Sequence, residues 1–88
     1  MTPTEALQAW LALEHEAVWL YPVVGARLDA LRDRATTSFE AHRDVRDDLV
    51  VRLRTRGVEP VSASLGLSLI HISAPTRLSL ASRLPPLP

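Results

Sequence analysis

Apolar residues recur every three or four positions through the first sixty residues, and this spacing constrains the fold more than any other feature of the chain. In the first part of that stretch they are Leu7, Trp10, Leu11, Ala17, Val18, Tyr21 and Val24, with Leu13 and Leu20 beside them. Such spacing is typical of one face of an α-helix, whereas a strand alternates apolar and polar residues. At about 100° per residue the apolar arc spans roughly 200°, which is wide for a helix with a single neighbour. The pattern therefore predicts an amphipathic helix enclosed by at least two others.

Local signals place this helix at about residues 3–25. The run Thr2-Pro3-Thr4-Glu5 is a capping box with proline at the first helical position, which marks the start of the helix. Pro22 removes one backbone donor near the other end, and this predicts a kink or an early stop. Gly25 is the expected terminator, because glycine commonly follows the last helical turn.

A second helix is predicted over about residues 30–56. Its apolar stripe follows a near-heptad spacing: Leu31, Ala35, Ser38, His42, Val45, Leu49 and Leu53. Asp29 is the candidate N-cap, and Gly57 followed by Pro60 predicts the end. A start of this helix at Thr37 is an alternative. The stripe keeps its helical spacing from Leu31 through Ser38, however, and this favours one long helix.

The short connection between the two helices predicts an antiparallel hairpin, so the expected fold class is all-α. If the turn lies near residues 26–29, Glu14 of the first helix lies level with His42 of the second. Both are centred in apolar stripes, where an unpaired polar group is unfavourable. A buried hydrogen bond between them is the favoured interpretation.

A carboxylate–histidine metal site inside a bundle is the alternative interpretation of Glu14 and His42, which makes them the two candidate metal ligands. No residue is assigned as catalytic or cofactor-binding. The neighbouring His15 and Glu16 are expected on a solvent-exposed face of the helix.

Composition excludes several classes of protein. Ten basic and ten acidic side chains give a formal net charge of zero, whereas a nucleic-acid-binding protein needs a basic excess. The chain contains no cysteine, which excludes disulfides and thiolate metal sites. No apolar run approaches the roughly 20 residues of a transmembrane helix, and the N-terminus is acidic, unlike a secretory signal. We therefore expect a cytoplasmic protein without a nucleic-acid or membrane partner and without a cofactor.

The neutral total conceals two segments of different composition. Residues 1–60 hold eight arginines and all ten acidic residues, whereas residues 61–88 hold two arginines and no acid. Four of the seven prolines also lie after residue 60. We therefore divide the chain into a helical domain over residues 1–64 and a tail over residues 65–88, which is predicted to be disordered.

Four short runs resemble a ferritin-like family of unknown function that is best known from actinobacteria. The runs are Ala12–Val18, Val23–Leu28, Ala41–Asp47 and Leu53–Gly57. The resemblance covers residues 6–60 and implies the first two helices of a four-helix bundle, so that the chain is expected to be a truncated, N-terminal half of such a domain. Metal-binding bundles of this kind use Glu together with Glu-x-x-His, whereas Phe39 stands three residues before His42 here.

The run Leu67–Arg77 resembles a different kind of sequence, the translation of a transposase-end adapter used in sequencing libraries. Ten of its eleven residues agree with that translation, and Ala74 stands where the adapter encodes glutamate. The resemblance implies that residues 65–88 are a non-native tail. A natural tail rich in proline and serine is the alternative.

These observations predict no complete biochemical function for the chain by itself and favour no enzymatic activity. A structural or interaction role is favoured for the parent domain, because the apolar stripes require only packing. The first alternative is a metal-binding, oxidoreductase-type carboxylate bundle, with a di-metal centre only in the full-length parent. The second is a hairpin that homodimerises into a four-helix bundle. In either case, self-association through the uncovered part of the apolar arc is the expected interaction.

Overall fold

The computed structural model describes residues 1–64, which form a helical hairpin. Helix α1 spans Pro3–Arg27, a single 3-10 turn spans Asp29–Leu31, and helix α2 spans Arg32–Thr55. This range contains no strand, so the predicted all-helical, two-helix fold is confirmed. Within it, neither helix combines the length and the apolar character that crossing a membrane requires. The tail that is predicted to be disordered lies outside the described residues.

The predicted capping box fixes the start of α1. The Thr2 hydroxyl accepts a hydrogen bond from the Glu5 backbone N–H at 3.1 Å, and the Glu5 carboxylate accepts one from the Thr2 backbone N–H at 3.3 Å. Pro3 occupies the first helical position, where a backbone N–H would have no partner within the helix. Side chains thus satisfy the backbone donors that a helix start leaves unpaired.

The predicted end of α1 at Gly25 is wrong, because the helix continues past both Pro22 and Gly25 to Arg27. Proline removes one backbone hydrogen bond of the helix, but the next turn, which includes Gly25, packs against Ala35. Gly25 is buried, and a Cβ atom there would lie 3.4 Å from the Ala35 Cβ atom. The two helices are therefore in close contact next to the turn.

The start of α2 also differs from the prediction. Asp29 is not its N-cap, since the Asp29 carboxylate accepts a hydrogen bond from the Arg32 guanidinium, and Leu31 occupies the N-cap position without a side-chain bond. The preceding 3-10 turn already orders the backbone at this point, so no side-chain cap is needed. The alternative start at Thr37 is wrong as well, because α2 is continuous from Arg32.

The apolar core lies at the end of the hairpin away from the turn. Leu11 of α1 and Leu49 and Leu53 of α2 are at most 1% exposed. Five partly buried residues pack around them: Leu7, Val45, Val50, Val58 and Val61. Full burial of a leucine side chain stabilises a fold by about 1.5–3 kcal/mol. This cluster therefore holds the two helices together at their open end.

Helix α2 ends in a Schellman motif built on Gly57. The Gly57 N–H donates to the Arg54 carbonyl at 2.9 Å, and the Val58 N–H donates to the Leu53 carbonyl at 3.0 Å. Gly57 has a φ of 75°, which only glycine adopts without strain, so its predicted role as the stop is explained. The motif reverses the chain, with the result that Val58 packs on the leucine core and residues 59–61 run beside α1.

Candidate functional site

Within residues 1–64, Glu14 is the one charged residue that is buried, with 7% of its surface exposed. Each of its carboxylate oxygens accepts a hydrogen bond: Oε1 from Trp10 Nε1 at 3.1 Å, and Oε2 from His42 Nδ1 at 2.6 Å. Trp10 stands one helical turn before Glu14, so α1 itself brings the two together, whereas His42 comes from α2. The two donors offset a desolvation that would be unfavourable for an unpaired carboxylate.

His42 is held in a defined orientation. Because an ionised carboxylate can only accept hydrogen bonds, Nδ1 carries the proton that is donated to Glu14. The Tyr21 ring stacks on the imidazole, with centroids 5.3 Å apart and an angle of 16° between the planes. The His42 side chain is 35% exposed, and within residues 1–64 its Nε2 atom has no hydrogen-bond partner. The pair therefore presents an oriented imidazole whose second nitrogen is not used by the described fold.

Glu14 and His42 do not by themselves fit a metal centre. Both carboxylate oxygens of Glu14 are engaged by N–H donors, which leaves His42 Nε2 as the one available ligand atom of the pair. In the described part of the chain, no group of three or more histidine or carboxylate side chains is placed to hold one ion. Structural zinc sites, for comparison, use about four protein ligands. The assignment of these two residues as metal ligands stays a prediction.

A second polar cluster joins α1 to the segment that follows α2. The Gln8 side-chain amide makes two hydrogen bonds to this segment: Nε2 donates to the Glu59 carbonyl at 2.8 Å, and Oε1 accepts from the Val61 N–H at 2.8 Å. Two turns further along α1, His15 Nε2 lies 3.0 Å from the Val61 carbonyl and donates to it. We call Gln8, His15 and residues 59–61 the α1 clasp.

The α1 clasp corrects the expectation that His15 and Glu16 lie on a solvent-exposed face. Both residues are half-buried, and Ala12, which shares a face with Gln8 and His15, is only 6% exposed. The segment that Gly57 turns back covers this face. A signal was present in the sequence, since Gln8 and His15 are seven residues apart on one helix face, but nothing in that pattern identifies what they bind.

One apolar stripe of α1 is only partly covered by the rest of the described fold: Ala17 and Val24 are half-buried, and its other residues are exposed. Its residues are spaced alternately four and three apart and are Ala6, Trp10, Leu13, Ala17, Leu20 and Val24. Trp10 is 50% exposed, Leu13 59% and Leu20 40%. We call this stripe the α1 seam. At about 100° per residue, it lies roughly 100° around the helix from the residues that pack on α2.

A shallow groove of about 440 Å³ opens beside the turn. Its lining consists of Tyr21, Pro22, Gly25, Ala26, Arg32, Ala35, Thr36 and Phe39. Arg32 is the single charged residue of this lining, and Tyr21 connects the groove to His42 through the ring stack. Because an active site normally brings several polar groups together in one pocket, we assign no catalytic site to this groove.

Comparison with known proteins gives one result for this chain. The model of a family described as "Domain of unknown function (DUF4439)" matches residues 6–84. No curated protein and no solved structure matches. The family match extends past residue 64 into the segment that resembles the adapter. That resemblance and the boundary after residue 64 concern residues outside the described range, and both stay predictions.

Proposed function

The chain belongs to the family described as "Domain of unknown function (DUF4439)", and on that premise we propose that it is a structural and interaction module. Its two helices supply one half of a four-helix bundle, as the ferritin-like resemblance implies. The other half of the bundle packs on the α1 seam. The observation that carries this proposal is the exposure of large apolar side chains along one continuous stripe of α1.

The α1 seam is unfavourable when it faces water. Trp10, Leu13 and Leu20 each leave between 40% and 59% of their surface exposed, and all three lie on one face of the helix. Burial of apolar surface is worth about 25 cal/mol per Å². Contiguous apolar patches on a folded surface mark interaction sites. A partner that covers the α1 seam would therefore stabilise the hairpin.

The arrangement of faces on α1 favours a bundle. One face of α1 packs on α2 through Leu11, which lies in one cluster with Leu49 and Leu53, and through Gly25, which lies against Ala35. The α1 seam lies roughly 100° away from that face. A helix in a four-helix bundle packs against two neighbouring helices through adjacent faces of this kind. The wide apolar arc of α1 is thereby explained as two faces rather than one.

The Glu14–His42 pair fits the same role as a positioning device. His42 donates to one oxygen of Glu14, and Glu14 in turn accepts from the Trp10 indole. Trp10 is the largest residue of the α1 seam, so this chain of hydrogen bonds helps to set the position of its ring. Buried polar pairs in some helical assemblies select one packing arrangement over others.

Substitutions on the α1 seam test this function. The double variant Leu13→Glu, Leu20→Glu in the full chain is expected to abolish any assembly seen by sedimentation velocity, because it places charges in the proposed contact. Val51→Glu is the matched control, since Val51 is 61% exposed but lies on α2 outside the seam. If the wild-type chain is a stable monomer whose unfolding is unaffected by the double variant, the proposed function is wrong.

A metal-binding carboxylate bundle is the second candidate, and the observation in its favour is the 2.6 Å contact between Glu14 and His42. Further ligands would have to come from the other half of the bundle. Calorimetric titration of the full chain with Mn²⁺ distinguishes the two candidates. Stoichiometric binding that is lost in His42→Ala favours the metal site, whereas no binding by the assembled chain favours the structural role.

A further inference from the structure

We infer that the partner of the α1 seam is a second copy of this chain, bound antiparallel about a twofold axis near residue 15. The inference rests on the proposed function and names its partner. Its basis is the spacing of the α1 seam, which reads four, three, four, three, four in both directions along the helix. A stripe that is unchanged on reversal can pair with itself, which is the requirement for an isologous dimer interface. Alternation of three and four is also the spacing of helices that pack as coiled coils.

In the antiparallel register no residue of the α1 seam lies opposite its own copy. The layers are Ala6 with Val24, Trp10 with Leu20, and Leu13 with Ala17, each formed twice across the axis. The pairing of a large with a small residue, as in the layer of Leu13 and Ala17, fills the space between helices evenly. A parallel dimer in register would place Trp10 against Trp10 and Ala17 against Ala17, so that one layer would be overfilled and another left with a void.

The charges at the two ends of α1 favour the same orientation. Glu5 lies in the first turn of α1 and Arg27 in the last. Antiparallel pairing brings Arg27 of each copy towards Glu5 of the second copy, whereas parallel pairing places like charges at the same end. It also sets the positive end of each helix dipole beside the negative end of the other.

Disulfide mapping in the full chain tests the register directly, and the absence of native cysteine makes it unambiguous. Leu13→Cys and Ala17→Cys variants are mixed in equal amounts and oxidised under native conditions. The mixed disulfide should form nearly all of the cross-linked product, because positions 13 and 17 share a layer, whereas two copies of position 13 lie more than one helical turn apart along the axis. Val51→Cys is the control outside the seam and should give only background cross-linking.

The outcomes separate this inference from the function on which it rests. A chain that sediments at twice its monomer mass and gives the mixed disulfide supports both. An assembled chain that cross-links mainly through two copies of position 13, or that exceeds the mass of a dimer, overturns the antiparallel dimer but leaves the α1 seam as a packing surface. A chain that stays monomeric at every concentration and is unaffected by Leu13→Glu overturns both.

Discussion

Glu14 connects the core of the hairpin to its uncovered surface. Its carboxylate is buried between the helices, and its two hydrogen bonds lead in different directions, to His42 on α2 and to Trp10 on the α1 seam. A buried acceptor that loses its donor keeps the full penalty of desolvation, whereas replacement of both partners by apolar groups can be nearly neutral. This asymmetry predicts how substitutions at the site behave.

His42→Ala is expected to lower the free energy of unfolding by about 1–3 kcal/mol, because it leaves a buried oxygen of Glu14 without a donor. The double variant Glu14→Leu, His42→Ala should recover part of this loss, since it also removes the stranded carboxylate. Urea unfolding followed by circular dichroism, at one fixed protein concentration, measures both values. A double variant that is less stable than His42→Ala would show that the carboxylate is not unfavourably buried.

Gln8→Ala is expected to loosen the segment after α2. It removes two hydrogen bonds to that segment, each worth about 0.5–1.5 kcal/mol. Gln8→Glu is the comparison variant that keeps one of the two hydrogen bonds, because its carboxylate can still accept from the Val61 N–H but cannot donate to the Glu59 carbonyl. Hydrogen exchange at the Val61 amide should be fastest in Gln8→Ala and intermediate in Gln8→Glu. Equal protection in all three proteins would mean that Gln8 does not hold this segment.

Among single residues, the sequence predicted what depends on position along a helix. Glu14 and His42 are placed at the same level by the rise of two antiparallel helices and the position of the turn, and the structure has them in contact. The roles of Gln8 and His15 were not predicted, because their partners are backbone groups of residues 59–61. The path of that segment depends on the turn at Gly57 and on the core that Val58 joins.

At the scale of the helices, the ends of α1 and α2 show which local signals decide a boundary. The capping box at Thr2 and the glycine at position 57 act through backbone groups within a few residues, and both are observed as predicted. Pro22 and Gly25 carry equally familiar stop signals, yet α1 passes through both. Contact with Ala35 across the hairpin gives Gly25 a packing role that has no local signature.

Gly57→Ala is expected to destabilise the hairpin by about 1–2 kcal/mol, because an L-residue is strained at a φ of 75°. The added methyl group itself meets nothing within 4 Å, so the effect is confined to the backbone. Gly57→Asn is the control, since asparagine tolerates the left-handed conformation better and should lose less stability. Thermal melts of the three proteins measure the difference. Equal melting temperatures for alanine and glycine would contradict the strained turn.

At the scale of the whole molecule, the described hairpin has a small core and a large uncovered stripe. Five hydrophobic residues of residues 1–64 are buried, namely Leu11, Ala12, Ala35, Leu49 and Leu53. Small scaffolds with few buried residues rarely reach more than about 3–5 kcal/mol of stability without further support. Assembly through the α1 seam would supply that support, because it buries apolar surface that the hairpin alone leaves in water.

The melting temperature of the full chain is therefore expected to rise with protein concentration, as it does whenever the folded state is stabilised by association. Scanning calorimetry over a hundredfold range of concentration measures the shift. The double variant Leu13→Glu, Leu20→Glu should melt at one temperature throughout, and Val51→Glu should behave like the wild type. A wild-type melting temperature that does not depend on concentration would show that the hairpin is stable as a monomer.

The sequence by itself determined the two helices, their antiparallel arrangement and the level at which Glu14 meets His42. These features follow from residue spacing, from caps that act over one turn and from the constant rise of a helix. Only the tertiary structure decided that α1 continues past Pro22, that residues 59–61 cover the Gln8 face, and that residues 1–64 leave most of the α1 seam exposed. The apolar arc of α1 has the same width whichever part of it is covered. Which part of it is covered depends on contacts between residues far apart in the chain, and helical periodicity carries no information about those contacts.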